Sequence, residues 1–152
     1  MSLQSVRAFL GEHAPDIAII EMPSSTATVA LAAEAHGVTP GQIAKTLSLR
    51  IGERCVVLVT SGTARLDNKK ARTAFESKVR MLDAAEVETI TGHPVGGVCP
   101  FGLAQPLDVY CDVTLQAFDE VVPAAGSTHS ALRSSPTRMA AITNATWVDV
   151  CQ

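Results

Sequence analysis

At 152 residues the chain has room for one hydrophobic core and too little for two, so a single domain spanning residues 1–152 is expected. Hydrophobic residues make up 47%, charged residues 18% and aromatic residues 4%, which excludes a disordered chain and an aromatic platform for stacking nucleic-acid bases. The formal charge of −3 excludes a general basic footprint for nucleic acid, no apolar run approaches the roughly 18 residues of a membrane span, and Cys55, Cys99, Cys111 and Cys151 form no CxxC pair, so a cytoplasmic protein with reduced thiols and no membrane contact is expected.

Leu3, Val6 and Leu10 recur at helical spacing before Pro15, and Ile17 to Glu21 then suits a strand. Ser24, Ser25 and Thr26 offer caps for an Ala-rich helix through Val29, Ala30 and Ala33, closed by His36-Gly37. Thr39-Pro40-Gly41-Gln42 combines a cap, a first-position proline and a Gln three residues on, and predicts a short helix reaching about Lys45. Thr46 to Ile51 and Cys55 to Thr60 read as strands joined by a Gly52-Glu53 hairpin, which puts Lys45 at the mouth of a buried strand.

Asp67 caps a helix through Ala71 and Phe75, Val79 to Leu82 is a strand, and Asp83 with Glu86 forms a capping box for a helix closed by Gly92. After a long loop, Leu107, Val109 and Tyr110 read as a strand. Val121-Val122 and Ala131 to Arg133 flank a Gly126-Ser127 turn, Ser135-Pro136 opens a helix ending near Asn144, and Thr146 to Val150 is a last strand. Close hairpins among interspersed helices predict an α+β fold with a mixed or antiparallel sheet, closed or strongly curved.

The stretch Gly92 to Gly102 holds four glycines and two prolines in eleven residues. Such a loop is either a long surface turn or a place where ligand can approach the backbone and meet its N–H groups. Phe101 favours a packed loop. Lys45 is either a solvated lysine near a helix C-terminus or a cation at a cleft mouth. Cys99 could be a nucleophile with His93 or His129 as base, or a small buried hydrophobe. The histidines show no metal-ligand spacing with the cysteines, and no cofactor is expected. Arg65, Lys69, Lys70 and Arg72 read as a solvated helix face and as the best local patch for an RNA backbone.

Taken together, Ile43-Ala44-Lys45-Thr46-Leu47, the Gly92–Gly102 loop and Ala124-Ala125-Gly126-Ser127 resemble the YbaK/ProX/EbsC family, which is similar to the editing domain inserted in many bacterial prolyl-tRNA synthetases. The likeness runs from about residue 5 to residue 150. It implies a mixed, barrel-like curved sheet surrounded by helices, and hydrolysis of the ester joining a wrong amino acid to tRNA, often tRNA(Pro). It also implies the acceptor end of an aminoacyl-tRNA as partner, with prolyl-tRNA synthetase as a second. The family's functional lysine falls on Lys45, with Thr46 beside it. Its substrate loop falls on Gly96, Gly97, Pro100, Phe101 and Gly102, and its second glycine turn on Gly126 and Ser127. Members that edit cysteine tend to carry Ser-Gly-Gly where this chain has Ala124-Ala125-Gly126, and the Pro-Phe-Gly form of the first loop is closer to members acting on alanine or similarly small residues. Thr26, Val29 and Leu31 are expected on a helix lining the pocket. A binding module that recognises the acceptor end or a synthetase without hydrolysis, and a thiol hydrolase using Cys99, are the competing classes.

With a charge of −3, the chain alone should bind tRNA weakly at physiological salt. Filter binding or fluorescence anisotropy should give a Kd above the submicromolar range.

Overall fold

In the computed structural model, which describes residues 2–152, α1 (Ser2–His13) buries Val6 and Leu10 along one stripe. β1 is only Ile20–Glu21, shorter than the run from Ile17, because its partner strand offers just two residues: Ile20 faces Ala131 and Glu21 faces Ser130. α2 (Val29–His36) starts later than Ser24 to Thr26 suggested. Thr28 is the cap, its hydroxyl accepting from the Leu31 N–H, and Gly37 at φ 66 closes the helix. Thr26 therefore precedes the helix, and its hydroxyl donates to the Thr128 carbonyl at 3.2 Å.

The capping box at Thr39 and Gln42 does form, but it opens only the single 3-10 turn Pro40–Gln42. β2 (Ile43–Ile51) follows at once, so Lys45 lies within a strand and not at the end of a helix. The ladder with β3 (Arg54–Ser61) explains the difference: pairing eight residues from Ala44↔Ser61 to Ile51↔Arg54 outweighs extending one helical turn. Then come α3 (Asn68–Phe75), β4 (Val79–Met81), α4 (Ala84–Thr91) and β5 (Asp108–Asp112). Asp67 caps α3, while Asp83 and Glu86 cap α4 reciprocally. A 3-10 segment Val113–Ala117 leads to β6 (Val122–Pro123), β7 (Ser130–Ala131), α5 (Pro136–Ile142) and β8 (Thr146–Val148). β8 stops short of Val150 because that residue's N–H leaves the ladder and donates to the Asp112 carboxylate at 2.8 Å.

β2 and β3 form an antiparallel hairpin across Gly52-Glu53, with Gly52 in the left-handed region at φ 61. β5 joins β3 in parallel and β8 joins β5 in parallel, giving a mixed sheet in the order β4-β2-β3-β5-β8. Among the described residues this path is open. β4 and β8 stand at its ends and share no ladder, so the α+β class with a mixed sheet holds while the strands do not close into a barrel. β1 and β7 form a separate two-stranded sheet.

One edge of β2 carries the full ladder to β3, and two short strands divide the other. β6 takes Ile43 and Ala44, and β4 takes Leu49, Arg50 and Ile51. Among the described residues Lys45–Leu47 have no strand partner on that edge, so the sheet has a notch there.

β3 alternates its burial with a period of two. Val57 and Val59 enter one core with Val6, Leu10, Leu115, Leu132 and Met139, and Val56 and Leu58 enter the other with Leu49, Ala71 and Val150. Phe101, 0% exposed, plugs the first core from the glycine-rich loop, its ring 5.9 Å from that of Phe9 on α1. Truncating Phe101 to Ala should cost about 3–5 kcal/mol of unfolding free energy. Urea denaturation should show the loss as a lower midpoint with little change in slope.

Candidate active site

The notch opens into a cavity of about 370 Å³. Its floor is the start of β2, from Ile43 through Thr46 with Ser48. Thr26 to Val29 and Ala32 close one side, at the entry to α2. Met81, Leu82, Ala84 and Val87 close another, where β4 passes into α4. Val95, Gly96 and Val98 come from the glycine-rich loop, and Val122, Ala124, Ser130 and Ala131 from the β6–β7 region. The walls are mainly small aliphatic side chains with a few hydroxyls and one lysine, a mixture suited to a small, partly polar ligand.

Lys45 contributes the one charged side chain among the residues that line this cavity. Its ammonium donates to the Ala64 carbonyl at 2.5 Å. Loss of water around the half-buried amine holds its pKa below the usual lysine value of 10.5, and the neighbouring Arg65 pushes the same way. The Thr46 hydroxyl beside it is buried and has no hydrogen-bond partner among the described residues. The turn supplying Ala64 depends on Gly62. A β-carbon there would stand 2.1 Å from the Pro40 carbonyl oxygen, so only glycine lets this turn pass beneath the 3-10 segment.

The glycine-rich loop divides into two parts. Gly96, at φ 90 and tight against Ala27, lines the cavity. Gly97 does not; its N–H donates to the Pro94 carbonyl at 2.9 Å, and its α-carbon packs on the Ser127 backbone. Pro100 and Phe101 are buried away from the cavity, and Gly102, at φ 59, lies against the Ser5 carbonyl of α1. Gly126, at φ 91, presses on Ser2 and Val6 of the same helix, while the Ser127 hydroxyl is 2.6 Å from that of Ser130, a cavity residue. Lys45, Thr46 and Gly96 are therefore gathered at the cavity. Gly97 and Ser127 stand directly behind it, and Pro100, Phe101, Gly102 and Gly126 join the loops to α1.

His93 is fully buried behind the loop. Its Nε2–H donates to the Phe101 carbonyl at 2.7 Å and its Nδ1 lies 2.5 Å from Ser2 Oγ. Cys99 is 3.6 Å from the same ring, but burial pushes its thiol up to about 12, and it lines no part of the cavity. A buried, protonated thiol outside the cavity speaks against the thiol-hydrolase reading. His129 is exposed and bound to the Thr128 hydroxyl at 2.9 Å. Of the Arg65, Lys69, Lys70 and Arg72 cluster, all four are exposed, and Lys70 is engaged with Asp149 and the Cys151 carbonyl. Among the described residues no three His, Cys, Asp or Glu side chains gather as a metal would require.

The family model described as an aminoacyl-tRNA editing domain matches residues 23–142, a span containing every wall of the cavity. The chain belongs to that family. An uncharacterised protein of Bacillus subtilis (strain 168), YwhH, is 44% identical over all of this chain and 98% of its own. EbsC of Enterococcus faecalis, a proposed Cys-tRNA(Pro)/Cys-tRNA(Cys) deacylase, is 30% identical over 78% of this chain and 73% of its own. The crystal structure of a proposed trans-editing enzyme for prolyl-tRNA synthetase superposes with a TM-score of 0.92 at 32% identity, covering 99% of this chain and 97% of that one.

Several walls of this editing domain escaped sequence reasoning. Met81, Leu82 and Val87 carry no local signal, since apolar residues around a capping box read as ordinary core. Ser48 and Ser130 are small hydroxyls in strands, and Ala64 acts through its carbonyl, which no residue type advertises. Of the three residues expected on a helix lining the pocket, Val29 lines the cavity from α2, Thr26 lines it from the segment before that helix, and Leu31 is 44% exposed on α2 away from it.

Cys55 is the most accessible of the four free thiols, and Cys99, Cys111 and Cys151 are buried with pKa values pushed up to about 12. Alkylation of the native protein at neutral pH should modify Cys55 first, with the other three reacting only after unfolding; peptide mapping by mass spectrometry reads the order.

Proposed function

We propose that this chain, acting as one unit over residues 1–152, is a trans-editing deacylase. It would clear a small wrong amino acid such as alanine or cysteine from tRNA(Pro) in the cytoplasm, with the aminoacyl-tRNA acceptor end as substrate and prolyl-tRNA synthetase as partner. The observation that carries this reading is Lys45: a lysine amine on the wall of an apolar cavity, held by a backbone carbonyl at 2.5 Å. Family membership and the relatives' described activities support the same chemistry.

An editing site has a physical purpose. A pocket shaped for proline rejects a slightly smaller side chain by only about 1–3 kcal/mol, so a second, hydrolytic pocket is needed for accuracy. An aminoacyl ester is already activated, and a site that positions water and stabilises the oxyanion can suffice. The small amino acid occupies the aliphatic cavity, and the Lys45 ammonium binds the ester oxygen or the terminal adenosine phosphate. Water adds to the carbonyl carbon, assisted by the substrate's own ribose hydroxyl. The bond to the esterified ribose oxygen then breaks, and that oxygen takes up a proton as the free amino acid leaves. Gly97 has spent its N–H on Pro94, so Gly96 is the glycine that remains to approach the carbonyl. Ala124, a cavity residue where cysteine editors tend to have serine, favours alanine over cysteine as the residue removed.

The test is deacylation of tRNA(Pro) charged with Ala, Cys, Ser, Thr or Pro. Wild type should release the small wrong residue and spare Pro-tRNA(Pro), Lys45→Ala should lose at least about a hundredfold in kcat/KM, and Cys99→Ala should match wild type. Because the ammonium is the acting form and its pKa lies below the usual 10.5, enzymatic turnover should begin to fall at a lower pH than an ordinary lysine would dictate. No release from any substrate would overturn the hydrolase and leave an acceptor-end binding module in its place.

A further inference from the structure

The family match ends at residue 142, yet the stretch Asp149–Gln152 packs directly on the turn that holds Lys45. Ala64, which accepts from the Lys45 ammonium, opens a segment that belongs to no strand. A backbone zipper gives that segment its shape. The Asp67 N–H donates to the Val150 carbonyl at 2.8 Å, Leu66 and Cys151 face each other in an antiparallel bridge, and the Gln152 N–H donates to the Arg65 carbonyl at 2.9 Å. Lys70 adds a side-chain tie, donating to the Cys151 carbonyl at 2.9 Å and to the Asp149 carboxylate at 3.2 Å.

The zipper is itself moored to the sheet. Asp112, at the end of β5, is 0% exposed, and its carboxylate accepts from the Val150 N–H at 2.8 Å and the Thr114 N–H at 3.0 Å. The neighbouring Asp112 carboxyl also helps to push the Cys151 thiol up. An unbroken series of contacts therefore runs from a buried aspartate in the sheet, through residues 150–152 and 65–67, to the carbonyl that fixes the Lys45 amine.

We propose that residues 149–152, moored by Asp112, form a positioning element that sets the direction and the hydration of the Lys45 amine. The proposal rests on the reading of Lys45 as the acting group. A lysine side chain has several freely rotating bonds, and an amine that must meet one oxygen of a transition state acts only if those bonds are already fixed. The Ala64 carbonyl supplies the fixed point, but a carbonyl on an unsupported turn would wander, and here the zipper prevents it. The charged and titratable groups around the amine are few. Arg65 and the Cys151 thiol are its neighbours, with Asp112 and Lys70 behind the thiol. Cys151 opposes the loss of water in its effect on Lys45, while burial pushes its own thiol up to about 12, so that it is protonated at neutral pH. An element present for stability alone would attach to the core anywhere. This one converges on the segment next to the functional amine.

The experiment uses the full chain labelled with [ε-13C]lysine, the Lys45 signal being assigned from Lys45→Arg. Gln152→Pro removes the N–H that reaches Arg65 and leaves the preceding residue in the extended conformation that proline favours, and Cys151→Ser replaces the thiol with a hydroxyl that draws water. Both should move the Lys45 titration midpoint upward, toward that of a free lysine, and lower kcat about tenfold or more with little change in KM. An unmoved Lys45 titration with unchanged kcat in both variants overturns the proposal. Should Cys151→Ser fail to fold, Gln152→Pro decides alone, since residue 152 is exposed. The reading of Lys45 is tested separately: a fully active Lys45→Ala overturns that reading, while the titration still decides whether this segment positions the amine.

Discussion

The site depends on how β2 shares its edges. One edge is pledged along its length to β3, which keeps the strand straight and stiff. The other is divided between β6 and β4, which pair with opposite ends of the strand and approach from different parts of the chain. Between them Lys45–Leu47 have no strand partner among the described residues, and the cavity occupies the gap. The remaining walls follow from connectivity. α2 precedes β2 by one 3-10 turn and so must pass over its start, while α4 follows β4 directly and so must pass over the other side. A lysine on this floor with its amine held at the Ala64 carbonyl is partly stripped of water, which is why that amine is less basic than one on an open surface.

The second support is α1, which lies outside the cavity but shapes its wall. Gly102 meets the Ser5 carbonyl and Gly126 meets that of Ser2, so both glycine turns touch the first turns of one helix. His93 completes the joint, since Ser2 Oγ lies 2.5 Å from both its Nδ1 and the Gly126 carbonyl oxygen. With its far end pinned by Phe101 in the core, the loop presents Gly96 and its neighbouring valines to the cavity as a firm wall. These glycines answer to sterics at two sites: Gly96 to Ala27 on the cavity side, Gly102 and Gly126 to the helix behind.

Much of this was legible in the sequence, and the parts that were not share a cause. The hairpin at Gly52-Glu53, the caps at Asp67 and Asp83 and the helix ends at Gly37 and Gly92 are local, and local chemistry decides them. Lys45 stood out as the cation beside a β-rich run, but its setting was misread because the Thr39–Gln42 box announces a helix and only the long ladder to β3 cuts it short. The glycine loop was recognised by composition, yet composition does not distinguish a glycine on the cavity wall from one that yields to a neighbouring helix. Gly62 drew no notice at all. Its necessity comes from the Pro40 carbonyl, and that closeness exists only once the strand between them has folded back. The same holds for Met81, Val87 and Ala64, whose importance lies in what the topology brings opposite them.

The bare stretch of β2 has a further consequence, for solubility. An unpaired strand edge is a template on which another molecule can add a strand, and exposed edges of this kind are common starting points for aggregation. Here the opening is only Lys45–Leu47, stopped at one end by β6 and at the other by β4, and flanked by residues of α2 and α4. An incoming chain would find too few free groups to build a ladder and no room to lie flat. A small ligand needs neither length nor flatness, so an opening of this size suits one while offering too short an edge for a second copy to add a strand there.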